Sequence, residues 1–295
     1  MSTAAGPAVA LVTCASQMAD GRDRDLPELV RALGDAGAAA RAVVWDDPAV
    51  DWAAYDLVVI RSTWDYTPRA AEYVAWAERV AAVTRLANPA DVVRWNTDKR
   101  YLGELAAADV PTVPTTYLTP DHVELPAQRA EFVLKPTAGA GARLAARYRP
   151  DEHPAARAHL ARLHADGLTA MLQPYAPHID ETGERALVFL GGRFLHAIQK
   201  GAVLAPGTAY DAEKVSHPGV RPWAPSEAEL DVAARALAAI PGDPDLLYAR
   251  VDLVDGADGQ PRVMELELVE PNLFLWAHPG SAPVVAEAIL KAALA

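Results

Sequence analysis

The chain has 295 residues, 51% of them hydrophobic and 22% charged, with mean hydropathy near zero. This excludes a disordered or fibrous chain and suits two or three packed substructures. Net charge is −12, which argues against a nucleic-acid binder, and no apolar run reaches the length of a membrane helix. The single cysteine, Cys14, permits no internal disulfide and points to a reducing cytoplasm. The opening residues lack a basic segment and read as the approach to a strand, not as a signal peptide.

The first third alternates strand and helix. Val9–Thr13, Ala40–Val44 and Asp56–Arg61 are short apolar runs fit for buried strands. Leu26–Ala36 and Ala70–Val83 carry helical spacing. This order predicts a small parallel α/β sheet, whose strand ends collect ligands. The loop Arg61-Ser-Thr-Trp-Asp-Tyr66 follows the third strand and is rich in groups that grip polar ligands.

Asn88-Pro89 marks a break, and Thr97–Ala108 reads as a helix. Phe132–Leu134 is a strand running into Lys135-Pro136 and the small-residue loop Thr137–Ala142, with Arg143–Arg147 returning. Ala155–Asp166 is a helix, Ala170–Gln173 a strand and Pro174–Gly183 a polar connector. Ala186–Leu190 and Arg193–Gln199 flank Gly191-Gly192, a hairpin signal. Ala202–Pro225 reads as a long loop, a kind that is usually functional inside a compact domain. Glu227–Ala239 is a helix, Leu247–Leu253 and Arg262–Leu268 pair as strands, and Ala282–Leu294 closes the chain as a helix.

Lysine is scarce: only Lys99, Lys135, Lys200, Lys214 and Lys291 occur, against 22 arginines. Lys135 ends a strand and opens a glycine loop, an arrangement able to cradle a polyphosphate. It is neither a Walker A motif nor GxGxxG, and a plain strand with a flexible loop is the competing reading. In Arg250-Val-Asp252 and Glu265-Leu-Glu267, alternation puts charged side chains on one strand face. Three carboxylates beside one arginine are an excess of negative charge, which a divalent cation shared with phosphates would relieve. A solvated charged face is the alternative. The eight histidines show no metal-binding spacing and no GxSxG elbow appears.

Lys99, Lys135 with its glycine loop, Gln173-Pro-Tyr175, Arg250-x-Asp252 and Glu265-x-Glu267 together resemble the ATP-grasp superfamily, over about residues 95–295. The glutathione synthetase, D-alanine–D-alanine ligase and RimK-type branches look nearest. The resemblance implies an N-terminal parallel α/β domain at 1–94 and an ATP-grasp α+β module at 95–295, with a mobile lid at about 113–172 and a core at 173–295. It implies ATP and Mg²⁺ or Mn²⁺ as cofactors. Lys99, Lys135 and Lys200 match phosphate-side cations, and Thr137, Gly139 and Gly141 belong to the loop that closes over the phosphates. Gln173 and Tyr175 match the adenine hinge. Asp180 and Glu184 both fall where the ribose acid belongs. Lys214 resembles a long-loop lysine. Arg250 matches the arginine that steadies the intermediates, and Asp252 and Glu265 match metal ligands. Glu267 stands where the family pattern has asparagine.

Such relatives activate a carboxylate as an acylphosphate, which a nitrogen nucleophile then attacks. Substrate recognition would fall to Arg61, Thr63, Asp65 and Tyr66, with Arg185, Arg250 and Asn272. Arginine suits a carboxylate and Asp65 an ammonium, so the expected partner is a small amino-acid-like molecule, with no nucleic acid and no membrane. Packing of Trp64 and Tyr66 at the domain junction is the competing reading of that loop. STWDY, RWNTDK and ELELVEPNLF look like the short ATP-grasp enzymes that include O-ureido-D-serine cyclo-ligases. Intermolecular amide formation and a non-catalytic ATP-binding regulator are the alternatives, and a homodimer is left open.

Overall fold

The computed structural model describes residues 6–121, 124–176, 178–207, 210 and 218–295. The N-terminal layer contains β1 (Ala8–Thr13), α1 (Ala15–Asp20), α2 (Asp25–Asp35), β2 (Ala39–Val44), β3 (Leu57–Ser62), α3 (Ala70–Ala81) and β4 (Leu86–Ala87). Its four strands run in the order β2-β1-β3-β4 and all pair in parallel. β3 is buried along its whole length, as expected for a strand covered on both faces. Asp23 Oδ1 accepts from the N–H groups of Asp25 and Leu26, satisfying donors that the first turn of α2 leaves open.

The expected helix over Thr97–Ala108 is shorter, α5 (Tyr101–Ala107), and a helix that the sequence did not announce precedes it, α4 (Ala90–Asn96). Thr97–Arg100 turns between them, and Lys99 uses its backbone N–H outside the helices, on Thr137 O. A second sheet follows: β5 (Thr116–Leu118), β6 (Phe132–Pro136), β7 (Ala146–Tyr148), α6 (His153–Ala165) and β8 (Ala170–Pro174), with strand order β5-β8-β6-β7. Its pairings are antiparallel, and α6 packs Ala156, Leu160 and Leu163 into its core. The polar connector contains a short helix, α7 (Ile179–Thr182).

The third sheet is built from β9 (Glu184–Leu190), β10 (Arg193–Lys200), β11 (Arg221–Trp223), β12 (Tyr248–Asp255) and β13 (Pro261–Glu267), with α8 (Glu227–Ala238) on one face. Strand order is β11-β10-β9-β12-β13, all antiparallel. Gly191 and Gly192 both have positive φ, the backbone that a two-residue hairpin turn requires. The last helix, α9 (Ser281–Leu294), returns to the N-terminal layer: Ala282, Val285 and Ile289 share a core with Leu26, Leu29 and Leu33 of α2. Packing therefore crosses the 94/95 boundary in both directions. No helix among the described residues is long and apolar enough to cross a membrane.

Candidate active site

A cavity of about 520 Å³ lies where the three sheets meet. Its floor comes from β12 and β13, whose register places Arg250 opposite Glu267 and Asp252 opposite Glu265. The alternation expected from the sequence thus becomes a block of four charged side chains on one face. Arg250 Nε lies 2.7 Å from Asp252 Oδ1 and Nη2 lies 2.7 Å from Asp252 Oδ2, with Nη2 also bonded to Glu267 Oε1. Lys200, from the end of β10, sits between Asp252 (2.7 Å) and Glu184. Lys99 stands 3.1 Å from Glu265 Oε1 and donates to Gly139 O.

These pairs alter the charge count expected from two strands alone. Lys99, Lys135, Lys200 and Arg250 face Glu184, Asp252, Glu265 and Glu267, four cations against four carboxylates. The excess negative charge inferred from the sequence is absent, because Lys200 and Lys99 arrive from other elements. Burial raises the Asp252 carboxyl, but Arg250 and Lys200 outweigh it and hold the group well below the usual range. Burial, opposed by Lys200, pushes Glu184 up to about 8. Glu267 is likewise pushed up to about 8 by burial, opposed by Arg250, with Glu265 and Asp252 adding repulsion.

Lys135 differs from the other lysines. It lines the cavity from β6, and among the described residues it forms no ion pair within 4 Å. Burial pushes its ammonium pKa down. After it the chain turns through Gly139 and Gly141, both lining the cavity, with Gly141 at φ +61°. Arg143 follows and donates to Thr67 Oγ1 at 2.8 Å, tying this loop to the N-terminal layer. Gln173 and Tyr175 line the same side; Gln173 Nε2 donates to Thr115 Oγ1, and the Arg147 guanidinium lies 3.5 Å from the centre of the Tyr175 ring.

Several expected residues stand elsewhere. Arg185 neighbours Glu184 on β9, so it points to the opposite sheet face, where it pairs with Glu229 of α8 at 2.9 Å and with Asp255. It cannot meet a ligand in the cavity. Asp180 accepts from Arg147 and from Tyr175 O–H and does not line the cavity, whereas Glu184 does. Thr137 is buried behind the loop, bonded to Asp98. Asp252 is buried beneath Arg250 and Lys200, so only Glu265 and Glu267 of the three expected metal ligands line the cavity. Of the Arg61–Tyr66 loop, only Trp64 does so. Thr63 bonds Tyr73 O–H, Asp65 accepts from Trp45 Nε1, and Tyr66 stacks on Tyr73 inside the layer. Arg61 is buried and donates to Pro271 O. Asn272 lines the cavity as expected. Lys214 lies outside the described residues.

The sequence reading missed Arg22, Arg24, Arg143, Phe274 and Trp276, which line the cavity from loops with no periodic signal. Arg24 stacks 3.8 Å over the Trp276 ring. Among the described residues no three His, Cys, Asp or Glu side chains converge tightly enough to hold a metal by themselves. Glu265 and Glu267 are nevertheless oxygen donors beside phosphate-compatible cations, and the raised Glu267 pKa marks a carboxylate that a cation would stabilise. The residues present fit a magnesium ion that takes its remaining ligands from phosphate and water.

Residues 9–88 match the family model described as the N-terminal domain of D-cycloserine synthetase DcsG. The chain is 41% identical over 282 residues to the cycloserine biosynthesis protein DcsG of Streptomyces lavendulae, covering 91% of this chain and 94% of that protein. A crystal structure of D-cycloserine synthetase DcsG matches with a TM-score of 0.88 at 39% identity, covering 97% and 99% of the two chains. The D-alanine–D-alanine ligase of Bacillus anthracis complexed with ATP shares the fold, with a TM-score of 0.71 at 14% identity and 98% of each chain covered. The fold is that of the ATP-grasp ligases. Within that class, the chain belongs to the family of the cycloserine biosynthesis protein DcsG.

Proposed function

We propose that the chain binds ATP with Mg²⁺, activates the carboxylate of O-ureido-D-serine as an acylphosphate with release of ADP, and lets the oxygen-bound nitrogen of the same molecule displace phosphate to close the ring, whose N-carbamoyl group is then lost to water as carbon dioxide and ammonia to leave D-cycloserine. The carrying observation is one cavity lined by Lys99, Lys135, Arg250, Glu265 and Glu267 together with Trp64, Asn272 and Trp276. In this reading β5–β8 form a lid on a core beginning near residue 173, and Lys135 and Lys99 bind the triphosphate.

Lys135 has no ion pair among the described residues to give up, so its charge is available to phosphate oxygens. Gly139 and Gly141 let the loop backbone approach those oxygens closely. Gln173 and Tyr175 border the adenine. Glu184, which lines the cavity where Asp180 does not, would meet the ribose. Arg250, buried and anchored by Asp252, offers a fixed guanidinium to the charge that develops on the acyl oxygen and the transferring phosphoryl group. Glu265 and Glu267 would hold Mg²⁺, which neutralises phosphate charge when bound; Mn²⁺ has the same oxygen preference and would substitute. Asn272 borders the substrate. No side-chain nucleophile is needed, because positioning and charge stabilisation supply the catalysis.

Release of ADP with O-ureido-D-serine and no second amine, with D-cycloserine as product, is the expected result. Turnover only on addition of a separate amine would replace ring closure by intermolecular ligation. ATP binding with no ADP release from any amino-acid substrate would replace both by a regulatory role.

A further inference from the structure

The loop from Glu270 to Ala277 supplies part of the cavity wall. Glu270, Asn272, Phe274 and Trp276 all line it. Phe274 has φ +53°, a left-handed backbone that is uncommon for a bulky side chain and persists only where the surroundings impose it. The third sheet supplies part of those surroundings, through Arg250 Nη1 on Asn272 O at 3.1 Å and His196 on Leu273 O at 2.8 Å, and the N-terminal layer supplies the rest. Arg61, at the end of β3, donates from Nη2 to Pro271 O at 2.9 Å. Asp25, opening α2, accepts from Leu275 N at 2.9 Å and from Trp276 N at 3.4 Å through Oδ1. One buried side chain thus holds each side of the strained residue, and Arg24, next to Asp25, stacks on the Trp276 ring.

Neither Asp25 nor Arg61 lines the cavity; they are 0% and 1% exposed. Asp25 Oδ2 and Arg61 Nε and Nη1 have no hydrogen-bond partner among the described residues, so both charges are kept buried with incomplete pairing. Such groups are costly to bury, which makes them poor devices for stability alone. Burial pushes Asp25 up to about 6 even with Arg61 opposing.

We propose that Asp25 and Arg61 are positioning residues that fasten the Glu270–Ala277 loop from both sides and thereby set the affinity for the amino-acid substrate without touching it. The inference rests on the function proposed above, in that this wall is taken as the substrate side.

The test compares Asp25→Ala, Asp25→Asn, Arg61→Gln and Arg61→Lys with the wild type. Steady-state ADP release is measured with O-ureido-D-serine and ATP, alongside Tm and amide hydrogen exchange. Asp25→Ala and Arg61→Gln should raise KM for O-ureido-D-serine at least tenfold, with KM for ATP within twofold of wild type. Asp25→Asn retains an acceptor oxygen and relieves a buried charge, so it should recover most of the lost affinity without lowering Tm. Amides at Leu275 and Trp276 should exchange faster in Asp25→Ala, with the 137–142 loop unchanged. Equal changes in both KM values, a lower Tm with neither KM altered, or exchange at Leu275 and Trp276 unchanged would overturn the clamp. If the wild type releases no ADP with O-ureido-D-serine, the substrate reading fails, while the exchange measurement still decides the clamp.

Discussion

Lys200 stands between two carboxylates, with Nζ 2.7 Å from Asp252 Oδ2 and bonded as well to Glu184 Oε1, and all three side chains are almost wholly buried. Removing the cation strands Glu184 and leaves Asp252 to Arg250 alone. Lys200→Met should therefore destabilise the fold by about 3–5 kcal/mol, the cost of breaking a buried pair. Urea unfolding followed by circular dichroism measures this, and a loss below about 1 kcal/mol would contradict the shared-cation arrangement.

Lys135 should behave in the opposite way. It is half-buried without an ion pair among the described residues, and desolvation already lowers its pKa. Lys135→Met should leave Tm unchanged or higher, while raising KM for ATP at least tenfold. The pair of substitutions separates a lysine kept for the fold from one kept for ligand, and calorimetry with ATP kinetics reads both.

Glu265→Gln keeps the shape of a cavity-lining side chain and removes its charge. We expect Mg²⁺-dependent ADP release to fall at least a hundredfold, with the far-UV spectrum unchanged. Turnover retained at the wild-type level would remove Glu265 from the metal set.

Much of this cluster was legible in advance because strand alternation is a strict rule. It placed Arg250 with Asp252 and Glu265 with Glu267, and the register then set Arg250 opposite Glu267. The same rule applied to Glu184-Arg185 forbids both from facing one cavity, and Arg185 indeed bonds Glu229 behind the sheet. The Arg61–Tyr66 loop misled because β3 is buried on both faces, so no polar alternation shows which side chains turn inward. Lys200 as a shared counter-ion required knowing that β10 lies two strands from β12, and pairing across non-neighbouring strands leaves no local sequence mark. Arg22, Arg24 and Arg143 sit on loops, where periodicity says nothing.

Asn88 couples the N-terminal layer to the third sheet. Its Nδ2 donates to Tyr248 O at 2.9 Å and Leu268 O at 2.7 Å, while Oδ1 accepts from Leu247 N at 2.8 Å. Asn88→Ala should cost at least about 2 kcal/mol, since it leaves buried backbone groups unpaired. Differential scanning calorimetry should show a Tm several degrees lower; an unchanged Tm would mean those groups find other partners.

Acid should weaken the fold through His196. Its ring is buried, stacks on His278 with centroids 4.3 Å apart, and bonds Leu273 O at 2.8 Å. Burial lowers its pKa from 6.5 to about 4. The unfolded chain therefore binds the proton more readily between these values, so stability is fully present above pH 6.5 and declines as pH falls toward 4. His196→Gln should flatten that part of the stability–pH curve by up to about 3 kcal/mol. Denaturant midpoints measured from pH 4 to 7 would show it, and parallel curves for both proteins would refute it.

α9 closes a face of the first sheet: Ala282, Val285 and Ile289 cover Leu26, Leu29 and Leu33 beside Val9 and Leu11. Removing α9 would uncover the apolar side of α2 while leaving every strand of the third sheet in place, so the N-terminal layer owes its cover to a helix about 250 positions away in sequence.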